Sequence, residues 1–583
     1  MQEEIKQYGV TLIVARVTDL PAAPAGGLLH VSPAFWAWMI VCGAWLVLIW
    51  VWHAFYLAMT VDDTFYYLKT ATNVAAGRGS TFDGINPTDG YHPLWLAVLA
   101  MMAAVLPDDM TLFARVVLTL QVLMLWCSGL FLSRLRHTGG SDILWPLALG
   151  VANPFVAKIV LCGQETALEL LLSCMALTLW WTTREAPNSR QFQSAVGLGL
   201  VCTLAALARL DNVFFCLALL TMPLMLPGQK ESAAGLPQRL ATTSWGLLVF
   251  ACGMLPYLAY HWTAYHHLAP VSGAIKLHLS ADEVGSPAAR LAAVGVACAM
   301  GLGFLISARR TRSPRLAVLV PATVGALVIA IYNFGVRGEL SPKLVRIWYL
   351  EPYFLLLALI SGMLLARWKH SRPIRVALGA AAALWLISAG FVWMYRLDAR
   401  SYNIYQAAQR CSRWVEEHID SGAVGGAWDA GFAGAFTHKP VMNLDGLINS
   451  WEYKEKYLDT GAVDEFILSR HPVDFVVQYM WPTTLRAVAS RFEHASLPTA
   501  PHHRTTVTGS QDPENLSERW GVDLAPFYVA HAECVMASVA YDPSVTVGPV
   551  FYFVLTRAPS AAGRMSLAQF ALATRNATSC PRH

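Results

Sequence analysis

Charged side chains are scarce in this chain of 583 residues. Asp, Glu, Lys and Arg together make up 14% of it, against 55% hydrophobic residues, whereas an ordinary soluble domain carries about 25% charged residues. The formal net charge is only +4, so the composition gives no indication of a nucleic-acid partner. These shortages exclude an ordinary soluble protein and favour a membrane protein.

Several short motifs are absent as well. The eleven cysteines form neither a CxxC motif nor a metal-ligand spacing, and most lie in apolar runs where small hydrophobic residues belong. Cys411, Cys534 and Cys580 lie in the polar last third and can pair only if that compartment is oxidising. Residues 1–33 lack a signal-peptide pattern, so we expect them to form a cytoplasmic tail.

Long apolar runs predict about eleven transmembrane helices. A helix needs about 20 mainly apolar residues to cross the hydrocarbon core. The apolar stretch 93–106 is too short for this and favours a re-entrant or interfacial helix. The predicted spans are 34–59, 111–133, 143–162, 166–183, 193–208, 211–226, 244–264, 288–308, 316–333, 347–366 and 376–395.

Basic residues cluster in every second loop of this scheme, for example at Arg134–His137 and Arg309–Arg315. Cytoplasmic loops carry an excess of Lys and Arg, so we place these loops in the cytoplasm. Eleven crossings from a cytoplasmic N-terminus then leave residues 397–583 outside. If 93–106 also crossed the membrane, these basic loops would lie outside the cytoplasm, contrary to this rule.

Three domains follow from this organisation. Residues 1–33 are the cytoplasmic tail, 34–396 the transmembrane module, and 397–583 an extracytoplasmic domain long enough for its own core. The last domain contains a helical pattern at Tyr405–His418 and strand-like runs at Asp474–Gln478 and Val550–Leu555. The predicted fold class is therefore a polytopic α-helical membrane protein with a C-terminal extracytoplasmic α/β domain.

The outward loops carry a mixture of acids and cations. In the simplest interpretation the acids only mark the membrane surface, and Arg209 pairs locally with Asp211. However, a carboxylate with as little loop around it as Glu165 is costly at that depth unless it is paired or faces a wet cavity. The candidate site residues in these loops are Asp62, Asp63, His92, Glu165, Arg209, Asp211, Lys276, Lys343 and Arg346.

This combination of residues fits transfer chemistry at the outer membrane face. A carboxylate can act as general base on an acceptor hydroxyl. Arg and Lys side chains bind a phosphate or diphosphate leaving group. Polarity and topology alone therefore favour a lipid-phosphate substrate, and they do not identify a sugar.

The first outward loop reads VDDTFYYLKTATNVAAGRGSTFDGINPTDGYHP (Val61–Pro93). It resembles the first outward loop of bacterial GT-C glycosyltransferases, polytopic enzymes that take sugar from a polyprenyl-phosphate donor. The likeness is greatest to the arabinofuranosyltransferase-like and mannosyltransferase-like branch. It extends in order to GQETAL (Gly163–Leu168), ARLDN (Ala208–Asn212), PVSGAIK (Pro270–Lys276), AWDAGFAGAF (Ala427–Phe436) and PVMNLDGLINS (Pro440–Ser450).

The resemblance implies a site and its partners. An Asp of the first loop would be the catalytic base, and the match falls on Asp62 or Asp63, with Asp62 favoured and Asp63 supporting. The cations listed above, with Glu165, Asp211 and His92, would bind substrate. The partners would be a polyprenyl-phosphate-linked sugar, membrane lipid and a glycan, lipid or protein acceptor, at the bacterial cytoplasmic membrane. No metal set is predicted, and a divalent cation is left open.

Two other functions compete with this one. A transporter or flippase would line a pathway with polar residues in mid-span and commonly shows inverted repeats, and neither feature is evident in the sequence. A scaffold that binds a partner through its outer domain is the third alternative. For Asp429 and Asp445, in the polar domain, a structural role in a Gly-rich turn is the more frequent explanation.

Overall fold

The computed structural model describes most of the helical module and the core of the polar domain. The described residues are 32–52, 55–135, 140–185, 191–225, 235–278, 314–331, 347–368, 371–397, 403–480, 528–537 and 548–556, with the isolated positions 295, 306 and 570. Lys343, Arg346 and nearly all of the predicted span 288–308 lie outside them. The statements below refer to the described residues.

Helices dominate the first 400 residues. Each predicted span inside the described residues coincides with helical structure. The helices are α1 (Pro33–Val51), α2 (Phe55–Met59), α3 (Asp62–Ala75), α4 (Pro93–Ala103), α5 (Met110–Ser133), α6 (Leu144–Ala152), α7 (Pro154–Val160), α8 (Thr166–Glu185), α9 (Gln191–Ala208), α10 (Val213–Met225), α11 (Leu236–Tyr265), α12 (Val271–His278), α13 (Pro314–Ala330), α14 (Glu351–Trp368) and α15 (Arg372–Leu397).

Four of these helices (α1, α5, α9 and α11) are long and apolar enough to cross a membrane, or up to five spans if the bent pair α6–α7 is counted as one. Helix α4, in the stretch 93–106, has only 11 residues and does not reach the length of a span. The remaining apolar helices are shorter or less apolar. Eleven crossings therefore stay a prediction.

The predicted span 143–162 is broken into two helices. Helices α6 and α7 meet at an angle of 106° at Asn153 and Pro154. Pro154 lacks a backbone N–H and cannot continue α6, which ends here. The Asn153 side chain then accepts a hydrogen bond from the Phe155 N–H at 3.0 Å and caps α7. The turn after α7 is thereby directed toward α3.

The two ends of the helical module differ in charge. Helix α5 begins beside Asp109 and is followed by Arg134, and α14 begins at Glu351 and carries Arg367 in its last turn. Helix α11 has Arg239 near its start and reaches the first outward loop at its end, where the Tyr265 hydroxyl bonds the Thr88 carbonyl at 3.3 Å. In these three helices the basic residue lies at the end away from the acidic or loop-contacting end, and the orientation in the membrane stays a prediction.

The polar domain is built on a mixed five-stranded sheet in the order β2-β1-β3-β5-β4. Strand β1 pairs parallel with β2 and β3, whereas β5 pairs antiparallel with β3 and β4. The strands are β1 (Gly425–Ala427), β2 (Val441–Asn443), β3 (Phe475–Met480), β4 (Tyr528–Ala537) and β5 (Gly548–Thr556), and the helices are α16 (Asn403–His418), α17 (Ala430–Ala435), α18 (Trp451–Tyr453) and α19 (Val463–Glu465).

Short 3-10 and π-helical turns complete the elements. The former are Gly140–Ile143, Leu210–Asn212 and Ile347–Leu350, and the latter Lys454–Leu458 and Phe466–Arg470. The predicted helix at Tyr405–His418 and both strand-like runs are confirmed. Cys411 on α16 is buried, and its Sγ donates to the Tyr552 carbonyl at 3.6 Å.

The polar domain packs directly on helix α3. The Phe65 and Phe432 rings lie 4.3 Å apart between centroids and both side chains are buried. Next to them, the Lys69 ammonium donates to the Thr437 carbonyl at 2.7 Å. Helix α17 therefore rests on the helix that carries the acidic pair of the first loop, and this contact positions the candidate site.

Candidate active site

Adjacent residues on a helix point about 100° apart, and Asp62 and Asp63 have different surroundings. The Asp62 carboxylate accepts hydrogen bonds from the backbone N–H groups of Gly431 and Phe432, at 3.0 and 2.8 Å. Burial, followed by the neighbouring Asp429, raises the pKa of Asp62, although the Phe432 N–H opposes this. Asp62 therefore joins α3 to the polar domain.

Asp63 instead lines a cleft between the helical module and the polar domain. The empty volume of this cleft, including its solvent-open mouth, is about 520 Å³. Its walls come from the first outward loop, the loops after α7 and α9, helix α12 and the polar domain. The lining residues are Asp63, Tyr66, Tyr67, Gly90, Tyr91, His92, Gln164, Glu165, Arg209, Ser272, Lys276, Tyr349, Leu447 and Ile448.

Lys276 faces Asp63 across the cleft, with its Nζ atom 4.0 Å from Asp63 Oδ2. Helix α12, which carries Lys276, is held at its start by Asp89. The Asp89 carboxylate accepts the Val271 N–H at 3.0 Å and the Trp451 indole N–H at 2.9 Å. This one buried side chain therefore links the first loop, the lysine-bearing helix and the polar domain.

Arg209 is buried, with 1% of its surface exposed, and is surrounded by carboxylates. Its guanidinium contacts Asp211 at 2.9 Å and Glu169 at 3.1 Å, and lies 4.0 Å from Glu165. It also lies over the Tyr349 ring, 4.9 Å from the centroid, a favourable cation–π geometry. Its charge is shared among three acids, of which Glu165 lines the cleft wall.

His92 presents one ring nitrogen toward that wall. Its Nδ1 accepts the Leu210 backbone N–H at 3.3 Å, so the neutral ring carries its proton on Nε2, which lies 3.7 Å from Glu165 Oε1. Burial lowers the pKa of His92 to about 3, with Asp211 opposing and Arg209 contributing. The imidazole is therefore neutral near pH 7 and offers an N–H donor at the cleft.

The polar domain contributes a second group of acids behind Tyr66. The Tyr66 hydroxyl lies 3.3 Å from Asp445 Oδ2 and accepts the Ala430 N–H at 3.2 Å and the Asn443 amide at 3.1 Å. Burial, and then repulsion from Asp429, raises the pKa of Asp445 to about 7. These acids support the cleft wall formed by Tyr66 and do not line the cleft themselves.

The cleft thus gathers Asp63, His92, Glu165, Arg209 and Lys276 from the predicted set. Asp62 faces the polar domain. Asp211 lies behind Arg209, beside a second cavity of about 340 Å³ that is also lined by Glu169 and Glu351. Lys343 and Arg346 lie outside the described residues. The catalytic and binding roles of all these residues stay predictions.

Sequence reasoning missed several cleft residues, chiefly Tyr66, Tyr67, Gln164, Ser272 and Tyr349. Most of them lie within the motifs quoted above, so their position in a motif could have indicated that they belong to the site. It also missed Glu169 and Glu351, for which an acid within an apolar run was the available signal. Within the described part of the chain, no group of three or more His, Cys, Asp or Glu residues could hold a metal ion.

Comparison with known families matches part of the polar domain only. Residues 399–522 match a domain of unknown function (DUF8728). The match begins close to the predicted domain boundary at 397. A search of curated proteins found no match.

Among solved structures the chain is similar to an archaeal oligosaccharyltransferase from Archaeoglobus fulgidus. Its complex with zinc and sulfate aligns over 88% of this chain and 72% of that one, with 12% identity and a TM-score of 0.45. The form tethered to an acceptor peptide aligns over 88% and 74%, with 12% identity and a TM-score of 0.46. The complex with an inhibitory peptide and a dolichol-phosphate aligns over 93% and 77%, with 11% identity and a TM-score of 0.41. These are distant resemblances and carry no assignment of activity.

Proposed function

We propose that this protein is a membrane glycosyltransferase. It moves a sugar from a polyprenyl-phosphate donor to an acceptor hydroxyl at the outer face of a bacterial cytoplasmic membrane. The observation that carries the proposal is the convergence of distant motifs on one cleft. The first loop, GQET, ARLDN, PVSGAIK and NLDG segments span nearly 400 residues of sequence, yet each contributes to the cleft or to its immediate support.

Asp63 is the proposed general base. It lines the cleft, whereas both carboxylate oxygens of Asp62 accept backbone N–H groups from the polar domain. Asp63 takes the proton of the acceptor hydroxyl while the acceptor oxygen attacks the anomeric carbon. The bond from that carbon to the donor phosphate oxygen breaks, and the phosphate leaves with the electron pair. We assign Asp62 the task of fixing α3 against the polar domain.

Lys276 is the proposed phosphate ligand. An ammonium group is a point charge suited to a phosphate oxygen, and the Lys276 Nζ lies 4.0 Å from Asp63 Oδ2, next to the proposed base. Lys343 and Arg346 remain proposed further ligands. Arg209 is assigned a positioning role, because Asp211 and Glu169 already contact its guanidinium.

The polar domain is proposed to cap the site and contribute to acceptor binding. Leu447 and Ile448 lie in the cleft wall, so an acceptor that reaches Asp63 passes beside this domain. The proposed orientation places the cleft and the polar domain outside the cytoplasm, in agreement with the basic helix ends at the opposite face.

Donor consumption tests the proposal directly. The full-length protein in lipid nanodiscs is incubated with a panel of polyprenyl-phosphate sugars, each radiolabelled in the sugar, together with a membrane extract as the source of acceptors. We expect one labelled lipid to be consumed and its label to appear in a new product. Lys276→Met should raise the KM for that donor about tenfold or more, because a charged contact to phosphate is lost.

The matched control is Lys456→Met. This lysine is exposed and pairs with Glu452 on the polar domain, so the KM should not change. If no labelled donor is consumed, or if a labelled lipid crosses the bilayer without transfer of its sugar, the proposal is wrong. The second result would instead indicate the transporter function considered above.

A further inference from the structure

Two neighbouring buried groups on the cleft wall have unused hydrogen-bonding capacity. Gln164 and Glu165 line the cleft, and each is 3% exposed. Within the described residues, neither Gln164 Nε2 nor Glu165 Oε2 has a hydrogen-bond partner. Buried polar groups are nearly always paired, so each such exception requires an explanation. Here an unpaired donor and an unpaired acceptor stand on consecutive residues of one wall.

The backbone that carries these two side chains is fixed on several sides. The Gln121 amide accepts the Gly163 N–H at 2.9 Å and donates to the Gln164 carbonyl at 2.5 Å. The Thr64 hydroxyl donates to the Cys162 carbonyl at 2.6 Å. The loop is therefore held to α5 and to the residue that follows Asp63. Such a loop presents its side chains in a defined position, which is a property of preorganised binding sites.

We propose that Gln164 and Glu165 form a hydroxyl-binding subsite for the transferred sugar. An ionised carboxylate only accepts hydrogen bonds, and an amide NH₂ only donates them. A sugar with adjacent hydroxyl groups satisfies both, since one hydroxyl donates to Glu165 Oε2 and the oxygen of another accepts from Gln164 Nε2. The inference rests on the proposed function, because it names the part of the site that holds the sugar.

Other ligand classes fit this wall less well. The phosphodiester of a polyprenyl-phosphate sugar has no proton to give to Glu165 at neutral pH, and its charge is repelled by the carboxylate. A lipid chain would leave Gln164 Nε2 and Glu165 Oε2 unpaired in a dry environment, which is unfavourable. In this arrangement Lys276 and Asp63 lie at the reacting bond, and the Gln164–Glu165 wall lies beside the sugar ring.

A subsite of this kind confers selectivity for the sugar. A site built to hydrogen-bond a hydroxyl rejects analogues that lack it far more strongly than an apolar pocket does, because its own buried groups stay unpaired. The subsite therefore accepts sugars with adjacent hydroxyl groups and discriminates against their deoxy counterparts.

Sugar binding without turnover tests the subsite. Methyl α-D-mannopyranoside and methyl β-D-arabinofuranoside are titrated into the full-length protein in nanodiscs, and binding is followed by saturation-transfer-difference NMR. We expect at least one glycoside to bind the wild-type protein. Glu165→Gln and Gln164→Leu should each weaken that binding about tenfold or more, with melting temperatures close to wild type.

Asp63→Asn provides the comparison, because it removes the proposed base but leaves the subsite groups in place. It should retain glycoside binding and lose transfer. Glycoside binding that is unchanged in both subsite variants, or absent from the wild-type protein for both probes, would overturn the subsite. Binding that behaves as expected in a protein that consumes no donor would uphold the subsite and refute the transferase.

Discussion

At the scale of single residues, the cleft is defined by how its charges are compensated. The Arg209 guanidinium contacts the carboxylates of Glu169 and Asp211. Burial keeps the His92 imidazole neutral, and the Lys276 Nζ lies 4.0 Å from Asp63 Oδ2. Asp62 and Asp63 differ only in which side of α3 they occupy. Their separation depends on contacts with Gly431 and Phe432, more than 360 residues away in the chain. Sequence alone could predict the acidic pair but could not distinguish its members.

The neutral state of His92 has a consequence for acid stability. Its folded-state pKa of about 3 lies below the usual value of 6.5, so its contribution to stability is present above pH 6.5 and is lost as pH falls from 6.5 toward 3. His92→Gln cannot titrate. We expect the variant to lose less stability than the wild type between pH 7 and pH 4.5.

Thermal unfolding of both proteins across this pH range provides the measurement. Identical pH dependence of wild type and His92→Gln would contradict the assigned neutral imidazole.

At the scale of elements, the apolar runs predicted where helices form but not how they end. The run at 143–162 was predicted as one span, whereas it consists of two helices that meet at 106°. Apolar residues determine where a helix forms because they must be buried. A bend can arise from two residues alone: Pro154 lacks the backbone N–H that would continue α6, and the Asn153 side chain caps α7. The GQET loop that follows is positioned by contacts with Thr64 and Gln121, which the sequence alone could not predict.

Gly163 in the GQET loop occupies a position where a side chain does not fit. Its φ of +85° is in the left-handed region, and an added Cβ would collide with the Thr64 side chain. Gly163→Ala should therefore destabilise the protein by about 1–3 kcal/mol, through backbone strain together with steric overlap. Differential scanning fluorimetry measures the loss.

Gly79→Ala separates these two causes. Gly79 has a φ of +83°, but an added Cβ there would have no neighbouring atom within 4 Å, so only the backbone strain remains. We expect its destabilisation to be clearly smaller than that of Gly163→Ala. Equal losses in the two variants would show that the contact with Thr64 contributes nothing.

At the scale of the whole molecule, the site exists only where the polar domain meets the helical module. The sequence predicted a helical module followed by a polar α/β domain, and the placement of that domain outside the cytoplasm stays a prediction. It could not predict that α17 would pack on α3, because that surface is formed by Phe65 and Phe432, which look like ordinary core residues in either segment. The cleft is therefore a property of the docked chain.

Tyr66 is a specific test of this docking. Tyr66→Phe removes a hydroxyl that pairs with the Ala430 N–H and the Asn443 amide, and a buried group left unpaired costs about 1–3 kcal/mol. Hydrogen exchange of residues 62–75 and 428–445 should become faster. Tyr453→Phe is the control, because its hydroxyl bonds the Leu444 carbonyl within the polar domain. Faster exchange of 62–75 in both variants, or in neither, would contradict a docking role specific to Tyr66.

The comparison of Asp63→Asn with Asp62→Asn tests the central claim most directly. Both proteins are assayed for transfer of label from the polyprenyl-phosphate sugar that the wild type consumes. Loss of a general base lowers turnover by about 10²–10⁴-fold, and we expect this for Asp63→Asn with wild-type thermal stability. Asp62→Asn should lower the melting temperature and reduce turnover less than about tenfold. Wild-type turnover in Asp63→Asn would contradict the account.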